Sequence, residues 1–158
     1  MPRFETGQVV PNFQLPATTG EFDLYEAIEA ADKGVIVYFY PKASTPGCTT
    51  EACDFRDSLQ GLKAAGYTVV GISPDKLPAL EKFTANQELN FALAGDSEKT
   101  VMEAWGAFGE KQNYGKTVLG VIRSTLVINK DKTVAHALYN VKATGHVARI
   151  RKLLGIDS

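Results

Sequence analysis

Along the chain, short apolar runs alternate with stretches whose apolar residues recur at helical spacing. Val35-Ile-Val-Tyr-Phe-Tyr40 is β-branched and aromatic, lies between Gly34 and Pro41, and reads as a buried central strand. Tyr67-Thr-Val-Val-Gly-Ile72 reads as a second. Between them, from Pro46 to Ala65, Ala52, Phe55, Leu59 and Leu62 step by 3, 4 and 3, which makes one face of a helix. Strand, helix and strand in this order predict a right-handed crossover that lays the two strands parallel. Lys76 to Asn86 and Glu98 to Trp105 read as helices, and Phe91 to Ala94 as a short strand. Arg123 to Asn129 and Thr133 to Val141 flank the turn-like Lys130-Asp131-Lys132 and predict an antiparallel hairpin. Val147, Ile150 and Leu154 mark a closing helix from Gly145 to Leu154. Near the start, Phe13-Gln-Leu and Glu21-Phe-Asp-Leu flank Thr19-Gly20 as a small hairpin.

Parallel crossovers followed by a late antiparallel hairpin predict an α/β fold of thioredoxin-like layout, a central mixed β-sheet with helices on both faces. The 158 residues suit one domain over 1–158. A chain of this size buries roughly 70% of its unfolded surface, so it needs neither metal nor disulfide to fold. Lys and Arg total 17 against 18 Asp and Glu, a net charge of −1, which argues against a nucleic-acid-binding surface. The longest apolar run, Val35 to Tyr40, is far too short to span a membrane, and the N-terminus has no signal-like apolar core. The expected compartment is therefore the cytoplasm. Two cysteines are too few for a disulfide scaffold, and His136 and His146 are too remote from them to build a zinc cage, so no metal is expected.

The chemistry concentrates after the first strong strand, in Pro41-Lys-Ala-Ser-Thr45-Pro46-Gly47-Cys48. Thr45 suits the N-cap of the following helix and Pro46 its first position, which puts Cys48 in the first turn. Unpaired amides and the positive end of the helix dipole there favour a thiolate, the nucleophilic form. The bland alternative is a buried cysteine on the stripe shared with Ala52, Phe55 and Leu59. Cys53 follows five positions later, either as a redox partner or as an inert helix residue. On an intact helix the two Cα atoms lie roughly 8.6 Å apart, beyond the about 7 Å a disulfide tolerates. A bond between them thus requires part of the helix to unwind.

Pro41-x-x-x-Thr45-x-x-Cys48 resembles the peroxidatic-cysteine motif of the peroxiredoxins. Cys48-Thr-Thr-Glu-Ala-Cys53-Asp-Phe-Arg-Asp57 is similar to the bacterioferritin comigratory protein (PrxQ) subfamily, as are Trp105-Gly, Tyr114-Gly-Lys116 and Gly120-Val-Ile-Arg123-Ser-Thr125. The chain departs from that pattern at Leu126 and Asn129, neither of which carries chemistry. The resemblance implies a thiol peroxidase without cofactor. In it, Cys48 attacks a peroxide and becomes a sulfenic acid, Cys53 closes an intrasubunit disulfide, and thioredoxin or a similar dithiol recycles the enzyme. Thr45, the Gly47 and Cys48 amides and Arg123 would donate to the breaking O–O bond, and Pro41 would shape the pocket. With no C-terminal cysteine of the intersubunit type, a monomer is expected.

Each residue also has a plainer reading. On that reading Thr45 is only a cap and Arg123 only a strand-end surface residue. Glu51 is expected to favour the helix start, with orientation of an arginine as the alternative. Trp105 and Tyr114 suit core or pocket wall, and His136 and His146 read as structural or exposed. Two rival functions stay open. One is a one-cysteine peroxidase resolved by an outside thiol; the other is a thioredoxin-like redox-sensing or holdase module with no turnover.

Overall fold

The structure, a computed structural model, describes residues 3–113 and 115–156. Its organising element is β3 (Gly34–Phe39), all six residues of which are buried. It pairs in parallel with β4 (Tyr67–Ser73) and antiparallel with β8 (Ser124–Asn129). Outward from β4 come β5 (Ala92–Gly95), β1 (Gln14–Ala17) and β2 (Gly20–Asp23), and outward from β8 comes β9 (Val134–Leu138). The spatial order β2-β1-β5-β4-β3-β8-β9 is the mixed sheet the sequence predicts. A separate antiparallel hairpin joins β6 (Phe108–Asn113) to β7 (Lys116–Val121).

Because successive side chains in a strand point to opposite faces, β3 serves two cores at once. Val35, Val37 and Phe39 pack with Leu24 and Ile28 of α1 (Leu24–Ala30) and with Val101 and Met102 of α4 (Thr100–Ala104). Ile36 and Tyr38, with Tyr40 beyond the strand end, pack under α2 (Pro46–Ala64), α3 (Leu77–Gln87) and α5 (His146–Leu153). Helices thus cover both faces. Trp105 is buried among Phe4, Phe13 and Phe39 in the first core, as its plainer reading holds.

Two glycines set the close fit of the central strands. A Cβ on Gly34 would lie 2.0 Å from the Ile128 carbonyl oxygen across the β3–β8 pairing. A Cβ on Gly71 would lie 2.6 Å from the ring of Tyr38, its partner across β3–β4.

Most predicted elements appear within one or two residues of their expected ends, and three differences have physical causes. The second strand of the first hairpin stops at Asp23, whose carboxylate accepts from the Glu26 amide and turns the chain into α1, a helix the sequence reading lacks. The last strand ends at Leu138 rather than Val141, since Asn140 adopts a left-handed φ of 56°. The β6–β7 hairpin was not predicted; β7 is half-buried at most until its final residue, Val121, so it shows little apolar pattern. Tyr114 lies outside the described residues.

Candidate active site

The loop after β3 leads into α2 and places Cys48 past the C-terminal end of the central strand. Past Pro41, which is half-buried, the loop passes through Ser44 in a left-handed conformation with φ 65°. Asp75, just past β4, holds this loop: its Oδ2 accepts from the Ala43 amide at 2.7 Å and from the Ser73 hydroxyl at 2.8 Å. Thr45 occupies the N-cap of α2 with Pro46 at N1, as expected, but its side chain makes no capping bond. Its hydroxyl donates instead to the Lys42 carbonyl at 2.8 Å, closing the loop on itself.

Cys48 is therefore at N3, and the residue is 1% exposed. The amides of Gly47 and Cys48 belong to the first turn and have no acceptor within the helix. Gly47 leaves the approach to the guanidinium open: a Cβ there would lie 3.5 Å from Arg123 Nη2 and 3.8 Å from Ala143 Cβ. Its backbone does not require glycine.

Arg123 arrives from the connection between β7 and β8, where the Val141 amide donates to its carbonyl at 2.9 Å. Its Nη2 donates to Cys48 Sγ at 3.1 Å, and its Nη1 donates to Glu51 Oε1 in a short charged contact. Burial works against the Arg123 cation, but Glu51 and Cys48 outweigh it and hold its pKa above the ordinary value. This is a planar donor shared between a thiol sulfur and a carboxylate, a geometry that stabilises negative charge on the sulfur.

Glu51 corrects the sequence reading. It lies beyond the first turn and points inward with no exposed surface, so it acts on Arg123 rather than on the helix end. Burial pushes its carboxyl up to about 7 against the pull of Arg123, and its Oε2 has no hydrogen-bond partner among the described residues. Beneath it, Tyr38 stacks on Phe55 with ring centroids 4.6 Å apart. His146 is structural, as anticipated. It is buried, its Nε2 is 2.7 Å from the Thr125 hydroxyl, and burial, with Arg149 and Arg123 nearby, pushes the imidazole down to about 4.

Cys53 stands in a different setting on the same helix. It is half-buried, and its thiol donates to Gln87 Oε1 at 3.5 Å, at the C-terminal end of α3. Both cysteines are free. Sequence reasoning missed Asp75 and Gln87; the position of Ser73-Pro-Asp75 after a strand was a usable signal for the first, and nothing local marks the second. Among the described residues, no group of three or more His, Cys, Asp or Glu is placed to hold a metal ion, and no helix is long and apolar enough to cross a membrane.

Comparison with known proteins adds a family match, two sequence relatives and a solved structure. Residues 6–137 match the model of the AhpC/TSA family. A Mycobacterium tuberculosis protein designated a peroxiredoxin is 52% identical over 157 residues, covering 98% of this chain and 97% of its own length. Escherichia coli peroxiredoxin Bcp is 40% identical over 142 residues, 90% of each chain. Among solved structures, that of Xanthomonas campestris bacterioferritin comigratory protein, described in terms of its alkyl peroxide reduction activity, superposes with a TM-score of 0.81. It is 35% identical and covers 90% of each chain.

Proposed function

We propose the following chemistry for a chain that belongs to the AhpC/TSA family, as a peroxiredoxin of the Bcp/PrxQ type and hence a thiol peroxidase with a thioredoxin-like fold. The Cys48 thiolate attacks one oxygen of hydrogen peroxide or an organic hydroperoxide. An S–O bond forms and the O–O bond breaks. The departing oxygen takes a proton and leaves as water or alcohol, and Cys48 is oxidised to the sulfenic acid. The Cys53 thiolate then attacks the Cys48 sulfur, releasing water and forming the disulfide. An external dithiol, thioredoxin or one like it, restores both thiols by two exchange steps and is itself oxidised.

The observation that carries this reading is the 3.1 Å contact from Arg123 Nη2 to Cys48 Sγ at the amino end of α2. A guanidinium and first-turn amides around one sulfur stabilise the thiolate, and the same donors serve the oxygen that gains charge as the O–O bond parts. Thr45 shapes the loop and meets the peroxide once its hydroxyl turns from Lys42. Pro41 and Gly47 border the approach. The enzyme works as one domain over 1–158, as a cytoplasmic monomer without metal or cofactor; the presence of only two cysteines, five residues apart, supports intrasubunit resolution.

Mass spectrometry after one equivalent of peroxide tests the assignment. Wild type is expected to lose two hydrogens as a Cys48–Cys53 bond, Cys53→Ser to stop at the sulfenic acid, and Cys48→Ser to stay unmodified. Equal oxidation of Cys48→Ser and wild type would remove Cys48 from its role. A wild-type protein that stops at the sulfenic acid would make this a one-cysteine enzyme.

A further inference from the structure

We propose that Gln87 is a positioning residue for the resolving step, a latch that holds Cys53 in α2 and so sets the lifetime of the Cys48 sulfenic acid. The inference rests on the two-cysteine reading above. Gln87 is the last residue of α3 and meets α2 twice. Its side-chain oxygen accepts from the Cys53 thiol at 3.5 Å, and its carbonyl accepts from Arg56 Nη1 at 2.6 Å. Asn90, just beyond, donates to the Arg56 carbonyl at 3.3 Å.

The end of α3 explains why that carbonyl is available. Glu88 adopts a left-handed conformation with φ 53°, and the Glu88 and Leu89 amides bond back to the Ala85 and Thr84 carbonyls. The Gln87 carbonyl is left as an acceptor at the negative end of a helix dipole, and the Arg56 guanidinium, one turn after Cys53, fills it. The same end of α3 presents the amide oxygen to which the Cys53 S–H donates.

Cys53 cannot reach Cys48 while both remain on an intact helix, so the turn between them must open. Every contact present in the closed helix and absent from the open one lowers the open population. Gln87 supplies such contacts at Cys53 itself and to Arg56. A slow opening leaves the sulfenic acid exposed to a second peroxide, which transfers an oxygen to it, giving the sulfinic acid and water or alcohol. Gln87 thereby governs the partition between disulfide and irreversible oxidation without touching the peroxide.

Quenched-flow mass spectrometry on the full chain follows sulfenic acid decay into disulfide, with Cys48 oxidation timed in the same runs. Gln87→Leu is expected to close the disulfide about 3- to 10-fold faster, the loss of one hydrogen bond, and to require more peroxide for sulfinic acid. Arg56→Met tests the second contact and is expected to move the same way. Gln87→Glu keeps an acceptor oxygen and is expected to restore the slow step. Cys48 oxidation should keep its wild-type rate in all three variants. Unchanged disulfide closure in both Gln87→Leu and Arg56→Met would overturn the latch while leaving the two-cysteine reading intact. If wild type forms no Cys48–Cys53 bond, that reading fails and the latch falls with it.

Discussion

The two thiols of this chain sit five residues apart on one helix and face opposite chemical environments. Cys48 accepts from the Arg123 guanidinium in the first turn of α2, whereas the Cys53 thiol donates to the Gln87 side-chain oxygen at the end of α3. Arg123→Ala is expected to slow peroxide reduction at least ~10²-fold, and Arg123→Lys to recover only part of it, because an ammonium lacks the planar fork that serves sulfur and Glu51 together. Stopped-flow peroxide reduction checks both. Glu51 gives a pH signature. Its folded pKa, about 7, lies above the ordinary 4.5, so the folded state holds its proton more tightly than the unfolded state does. The contribution to stability is complete below 4.5 and is lost as pH rises through about 7. Denaturant titrations are expected to show this decline in wild type and not in Glu51→Gln. Cys48, Thr45 and Arg123 were legible because they belong to short patterns with one chemical meaning. Asp75 and Gln87 were not, because their roles exist only in contacts made across the fold, 32 and 34 positions away in sequence.

At the scale of elements, β3 joins the packed interior to the reactive site. Its Tyr38 lies under Phe55 of α2 on one side and against the bare backbone of Gly71 on the other. A methyl at Gly71 meets a ring that is fully packed, so Gly71→Ala is expected to cost about 1–3 kcal/mol, measured by urea unfolding of the reduced protein. The strands with the plainest signal, β3, β4 and β8, are those most deeply buried, where the need to exclude water leaves an unbroken apolar run. The illegible elements lie at the periphery. In α1 only Leu24 and Ile28 are buried, and a capping aspartate starts it where the preceding residues continue a strand pattern. The β6–β7 hairpin is held by its own ladder and has too little buried surface to impose a period.

For the whole molecule, the proposed cycle demands two incompatible arrangements of one helix. In the reduced form α2 is continuous from Pro46 to Ala64 and covers the second core with Ala52, Phe55, Leu59 and Leu62. The disulfide form cannot retain the turn between the cysteines. Hydrogen exchange is expected to show lost amide protection from 48 to 53 after peroxide treatment, with Cys53→Ser keeping it; equal protection in both states of a bonded protein would count against the unwinding. Phe55, just past that turn, is expected to lose its cover in the same state, which would offer the proposed external dithiol an apolar surface. The pairing of β3 with β8 has a consequence of another kind. Arg123 lies 75 positions beyond Cys48 and reaches it only through that pairing. At translation rates of about 5–20 residues per second, the ribosome makes the nucleophile roughly 4–15 s before its guanidinium. Both cysteines thus emerge early while the catalyst is assembled late. For those 75 residues of synthesis Cys48 is present without its guanidinium, and the Cys48–Arg123 contact forms only once β8 has been made.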